Sequence, residues 1–167
     1  YYNRFYFVHP DGAVQHYDKK HLFTFGGEHK RFTAGTERVV VNFRGVRILL
    51  EVCYDLRFPV WARNLGDYDM ILYVASWPTP RVDAWSALLR VRAIENQCYV
   101  AGVNRMGVDP ACEYSGGSAI IDPYGKTIAE CPWSRESAVS ADIDMEALQT
   151  FRKKFPVLDD ADPFTLI

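Results

Sequence analysis

Two runs in the chain, residues 46–52 and 70–75, are apolar almost throughout, which suits β-strands covered on both faces. Apolar and β-branched residues also gather over 5–9, 13–17, 39–43, 99–104, 118–121, 127–130 and 138–143, segments of strand length. Turn-forming residues punctuate them: Pro10-Asp11-Gly12, Arg44-Gly45 and Asp122-Pro123-Tyr124-Gly125 predict three hairpins. Between 83 and 97 the period changes. Ala84, Ala87, Leu88, Val91 and Ile94 recur at helical spacing, and this stripe is expected to pack against a sheet. A second helix is predicted over 145–154, with Asp144 as its N-cap and Phe155-Pro156 as its stop. A short third, over 60–65, joins the two apolar runs. Strands and helices interleave, so the pattern predicts an α/β fold.

Composition narrows the class. At 167 residues, with 49% hydrophobic and 24% charged side chains, the chain fits one domain spanning 1–167, without repeat or linker. Its 19 basic and 21 acidic side chains nearly cancel, so no basic stripe is expected for a nucleic acid or an anionic membrane. The apolar runs fall far short of the ~20 residues of a membrane helix, and a soluble, cytoplasmic protein is expected. The four cysteines, Cys53, Cys98, Cys112 and Cys131, have neither the paired spacing of a zinc site nor the density of a disulfide scaffold. His9, His16, His21 and His29 lack helical pairing, so no metal and no organic cofactor is expected. The chain opens on Tyr1 in mid-strand, which predicts that an N-terminal portion of the fold precedes it. The tail 157–167 mixes Asp159, Asp160 and Asp162 with Phe164 and Leu166, and is expected to dock on a partner subunit.

Two segments carry candidate chemistry. In Ile48-Leu49-Leu50-Glu51-Val52-Cys53-Tyr54-Asp55-Leu56-Arg57-Phe58-Pro59 a buried strand stops at a cysteine and turns into a helix start, a place where nucleophiles are displayed. There the Tyr54 N–H is free to form part of an oxyanion hole. A thiol with an ordinary pKa of about 8.5 needs a cation, a helix N-terminus or a base beside it. Tyr17-Asp18-Lys19-Lys20-His21-Leu22-Phe23 offers both kinds of group. Strand alternation puts Lys19 on the side of Tyr17 and His21, with Lys20 pointing away, so Lys19 is the candidate cation. Arg57 is placed either on a substrate carboxylate or in a structural pair with Asp55 or Glu51. Trp77 and Tyr54, just past strand ends, are candidate pocket walls.

Tyr-x-Lys-x-His-Leu-Phe followed by Cys-Tyr-Asp-x-Arg-Phe-Pro resembles the nitrilase, or carbon–nitrogen hydrolase, superfamily. Ser76-Trp77-Pro78, Arg92-Ala93-Ile94-Glu95-Asn96-Gln97-Cys98-Tyr99-Val100, Gly102-Val103-Asn104-Arg105 and Gly117-Ser118 extend the resemblance over essentially the whole chain, and it is strongest to omega-amidase-like members. The resemblance implies a four-layer α-β-β-α sandwich and a Glu-Lys-Cys triad, with Cys53 as nucleophile and Lys19 as oxyanion partner. Glu28 resembles a second glutamate that positions substrate. The general-base glutamate of such enzymes lies before the lysine, and no residue ahead of Lys19 here is a glutamate. The implied substrate is a small aliphatic monoamide, and the implied assembly a homodimer or higher homo-oligomer built on a helical face. Two other readings stand beside this one: a Cys53–His21 hydrolase of the papain kind, and a catalytically silent binding or assembly subunit.

Overall fold

A computed structural model describes residues 1–165; Leu166 and Ile167 of the expected docking tail lie outside the described residues. Its centre is a six-stranded sheet in the order β10-β9-β6-β5-β4-β3. The strands are β3 (Val40–Phe43), β4 (Val46–Val52), β5 (Met70–Ala75), β6 (Tyr99–Asn104), β9 (Ala119–Ile121) and β10 (Thr127–Glu130). The three central strands, β4, β5 and β6, run parallel, while β3 and β9 join them antiparallel at the two sides. Parallel neighbours need crossovers. These are α1 (Pro59–Ala62) between β4 and β5, and α2 (Val82–Glu95) between β5 and β6.

The two apolar runs are β4 and β5, and both faces of the sheet are covered there. Leu49, Ile71 and Val100 face α2, where Trp85, Leu89 and Ala93 meet them. Ile48, Leu50 and Val52 face the other way, onto Phe5, Phe7 and Tyr17 of a separate hairpin, β1 (Arg4–Val8) and β2 (Val14–Asp18). The described residues thus form three layers, helix on sheet on hairpin, in keeping with the mixed α/β class and with three of the four layers of an α-β-β-α sandwich. Helix and sheet approach closely at Gly102, where a Cβ would lie 2.6 Å from Leu89 Cδ1. Helix α3 (Met145–Lys154) begins at Asp144, whose side chain accepts from Ala147 N. Its Arg152 reaches Asp69 and the carbonyls of Tyr68 and Gln97, bracing the start of β5 and β6.

Three expectations change. Helix α2 packs on the sheet but is turned from the expected stripe: Ala84 and Leu88 are half-buried against the core, Ala87 is exposed, Val91 and Ile94 are 44% and 51% exposed, and the buried face is Trp85, Leu89, Arg92, Ala93 and the following Asn96. Hydrophobicity alone misplaces that face because Arg92 and Asn96 are buried for their hydrogen bonds, to Leu56 O and around Asn64. Residues 138–143 form no strand; Ser137 to Val139 overhang β6 and β9 without ladder pairing. A segment laid over a sheet shows the same short apolar alternation as a paired strand. The helix expected over 60–65 is the single turn α1. A hairpin of β7 (Met106–Val108) and β8 (Glu113–Ser115) was not foreshadowed, its strands being three residues each around an Asp109 turn.

Candidate active site

The parallel strands end together, and in open α/β sheets the space beyond their carboxyl ends is where ligands bind. Strand β4 ends at Val52, and Cys53 opens a 3-10 helix over Cys53–Arg57. The change of direction is made at Cys53 itself, whose φ of +49° lies in the left-handed region. For a residue with a side chain this conformation costs about 1–2 kcal/mol. It turns the thiol out of the sheet, and its Sγ lies 3.9 Å from the Ser76 carbonyl just beyond β5.

Lys19 follows the last residue of β2 and is 1% exposed. Its Nζ donates to Glu28 Oε2 at 2.7 Å. The same oxygen accepts from Phe23 N, and Asn3 Nδ2 donates to the other. Glu28 thereby keeps the buried ammonium paired and fixes the loop that follows the lysine. Lys19, Glu28, Asn3, Phe23, Cys53 and Ser76 line one cavity of about 390 Å³. The amine and the sulfur nucleophile therefore share a cleft although 33 residues of sequence lie between them. Burial pushes the Cys53 thiol up, with Glu28 and Asp55 adding to the rise, while the Lys19 charge pulls it down. The resting group is a thiol and needs a base to become a nucleophile.

The lysine segment and the cysteine turn are bound to each other through Asp55, which is fully buried. Its Oδ1 accepts from His21 N and lies 2.8 Å from His21 Nδ1; its Oδ2 accepts from Tyr17 OH and Val52 N. Tyr17 OH accepts in turn from Lys20 N and Trp61 Nε1. Burial pushes the Tyr17 phenol far up, so it stays a donor to Asp55. This clamp corrects two expectations. His21 is taken up by Asp55 and by stacking on Phe58 at 3.8 Å between ring centroids, and makes no hydrogen bond to Cys53, which removes the support for a Cys-His pair. Arg57 pairs with neither Asp55 nor Glu51; it is exposed and lies over the Trp77 ring, 4.9 Å from its centroid.

A slot adjoins the cavity on the far side of the thiol, sharing Phe23, Cys53 and Ser76 with it and adding Tyr54, Arg57, Trp77 and Arg81. Trp77 is held by Asn104, which accepts from its N–H and donates to its carbonyl, and by its own Nε1 donating to Arg81 O. Tyr54 packs edge-on against Phe23 and Phe58, and its N–H occupies the first turn of the 3-10 helix, where no intrahelical acceptor exists. Of the six candidates, Lys19, Glu28 and Cys53 line the cavity, and Cys53, Tyr54, Arg57 and Trp77 line the adjoining slot. The sequence reading missed Asp55, Asn104 and Arg81. The first two stand inside motifs already quoted, whereas nothing local marks Arg81. Among the described residues no cluster of three His, Cys, Asp or Glu is arranged to hold a metal, and no helix is long and apolar enough to cross a membrane.

Known proteins resemble this chain in sequence and in fold. A family profile described as carbon-nitrogen hydrolase matches residues 1–153. Omega-amidase YafV of Escherichia coli K12 is 54% identical over 165 residues, covering 98% of this chain and 64% of its own length. The 2-oxoglutaramate amidase of Bacillus subtilis is 40% identical over 162 residues, covering 95% of this chain and 62% of its own. The crystal structure of XC1258 from Xanthomonas campestris, described as a CN-hydrolase superfamily protein with an arsenic adduct in the active site, superposes with a TM-score of 0.95 at 48% identity, covering 99% of this chain and 65% of that one. The chain therefore spans a little under two thirds of the length of these relatives.

Proposed function

We propose, from the premise that the chain belongs to the carbon–nitrogen hydrolase family, that it serves in the hydrolysis of a small aliphatic amide to ammonia and a carboxylic acid. The observation that carries this reading is the shared cleft of Lys19 and Cys53, with the thiol on a strained strand end. In the proposed first half-reaction Cys53 Sγ attacks the amide carbon and the oxyanion is met by Lys19 and the Tyr54 N–H. The nitrogen leaves as ammonia and a thioester remains. Water then opens the thioester, so one hard step becomes two easier ones. Glu28, the first glutamate of the chain, is engaged with Lys19 and acts in this scheme by holding the lysine and the substrate. The proton acceptor that the family resemblance implies, a glutamate ahead of the lysine, is not supplied by residues 1–18.

The substrate is proposed to be the monoamide of a dicarboxylic or 2-oxo-dicarboxylic acid. The names of the E. coli and B. subtilis relatives support this, as does an arginine, Arg57, in the slot beside the thiol. The protein is proposed to act in the cytoplasm as a homodimer; four free cysteines and the exposed Val91 and Ile94 of α2 support that reading. The test is ammonia release from succinamate by the purified protein and by Cys53→Ala, with mass spectrometry of the acid-quenched parent. Turnover lost in the variant, and an acyl adduct on Cys53, are expected. An inert parent whose Cys53 reacts with iodoacetamide no faster than the other three cysteines favours the silent-subunit reading instead.

A further inference from the structure

Of the thirteen arginines, Arg4, Arg38, Arg47, Arg92, Arg105 and Arg152 each pair with a carboxylate, and Arg63 and Arg90 donate to backbone carbonyls. Arg31, Arg44, Arg57, Arg81 and Arg135 have neither kind of partner among the described residues, and of these five Arg57 and Arg81 line the slot beside Cys53. Among the described residues neither Arg57 nor Arg81 has a carboxylate partner or a side-chain hydrogen bond from its guanidinium. Each lies instead over an aromatic ring of the same slot, Arg57 Cζ 4.9 Å from the Trp77 centroid and Arg81 Cζ 5.4 Å from that of Phe23. Stacking on a ring uses the flat face of a guanidinium and leaves the N–H donors in its plane unoccupied. The slot therefore holds two cations whose hydrogen-bonding edges are not taken by described protein groups, and Cys53 lines the same slot.

We propose that Arg81 is a specificity-determining residue which, together with Arg57, forms an anion subsite that seats the carboxylate of the substrate while its amide lies at Cys53. Arg57 arrives on the turn that carries the nucleophile, four positions after it, and Arg81 arrives on the segment leading into α2. They therefore approach one anion from two independent elements. The Trp77 Nε1 bond to the Arg81 carbonyl, 2.7 Å, fixes the second element against the slot wall. Two guanidiniums in one slot favour a substrate whose end remote from the amide is a carboxylate, and disfavour a neutral amide of equal length, which leaves both cations unanswered. This subsite rests on the amidase reading for its substrate but not for its affinity for a carboxylate.

Arg81→Gln is the informative variant because the backbone carbonyl that holds Trp77 is untouched. Two measurements separate the subsite from the amidase reading. In the first, kcat/KM is compared for succinamate and for butyramide, which carries a methyl group in place of the carboxylate. Arg81→Gln is expected to lower the succinamate value by about 10- to 100-fold more than the butyramide value, chiefly through KM, with Arg81→Lys recovering part of the loss. Equal losses on both amides would overturn the proposal. In the second, succinate is tested for protection of Cys53 against iodoacetamide. Protection in the parent that weakens at least tenfold in Arg81→Gln supports the subsite even in a protein that hydrolyses neither amide, an outcome that refutes the amidase reading alone. Absent or undiminished protection counts against the subsite even where amide turnover is robust.

Discussion

Asp55→Asn alters the clamp between the lysine segment and the nucleophile turn without altering its shape. The carboxylate presents two acceptors to four groups: His21 N and Nδ1 at Oδ1, Tyr17 OH and Val52 N at Oδ2. An asparagine must turn its NH2 toward one of these pairs. Turned toward Tyr17 and Val52, it loses both bonds, because the Tyr17 oxygen already accepts from Lys20 N and Trp61 Nε1. Turned toward His21, it loses only the backbone N–H, since the imidazole can present Nδ1 as an acceptor in its other tautomer. The second orientation is cheaper. Its cost is one buried N–H without a partner, about 1–3 kcal/mol, plus about 1–2 kcal/mol for exchanging a charged acceptor for a neutral one at the bonds that survive. The sum, about 2–5 kcal/mol, is large against a typical domain stability of about 5–15 kcal/mol, so the variant folds but marginally. Urea unfolding followed by tryptophan fluorescence should show a lower midpoint with an unchanged slope. Alkylation of Cys53 by iodoacetamide below the unfolding transition should change in rate, since the turn that presents the thiol is anchored by this group. A stability within about 0.5 kcal/mol of the parent would refute the hydrogen-bond accounting. A destabilised variant with unaltered Cys53 alkylation would refute the link from clamp to nucleophile.

Lys19→Met replaces a buried ammonium by an apolar chain of similar length. Burial and the Glu28 and Asp55 charges then act on Cys53 against only the Ser76 backbone contact, so the pH midpoint of its alkylation, already raised by burial in the parent, should move further up, and amide turnover should fall by about 10²–10³, the loss typical of one oxyanion donor; an unmoved midpoint would show that the lysine charge does not reach the sulfur. Glu51, two residues before the nucleophile, is fully buried with neither oxygen hydrogen-bonded, and burial pushes its carboxyl well above the carboxylate range. The folded protein then binds a proton that the unfolded chain releases above pH ~4.3, so this group's stabilising contribution is present in acid and lost as pH rises toward its folded value, by about 1.4 kcal/mol per pH unit. Glu51→Gln should therefore gain on the parent in urea unfolding as pH is raised from 4.5 to 6.5, and parallel stability curves would contradict the assignment.

Much of the fold was legible in short-range pattern. The bounds of β4, β5, β6, β10 and α3 follow from apolar runs, turn residues and the Asp144 cap, because strand burial and capping are decided within a few residues. The inward face of α2 was not legible: burying Arg92 instead of Val91 depends on a carbonyl, Leu56 O, in another element. The candidate site divides the same way. Cys53 stands out at the end of a buried strand and Lys19 on a strand's inward face, whereas of the two places open to Arg57, the structural pair with Asp55 is closed because the fold gives that carboxylate to His21 and Tyr17.

By itself, the order of residues determined which segments become strands, where the parallel core lies, and that a thiol is displayed where one of those strands stops. Those outcomes depend on local conformational preference and on how much apolar surface each segment must hide. Only the folded chain decided which groups meet: Tyr17 with Asp55 across 38 positions, Lys19 with Cys53 in one cavity, Arg57 and Arg81 in one slot. Hydrogen bonds and charges act over a few ångströms of space, and the separation of two residues along a polymer carries almost no information about that distance.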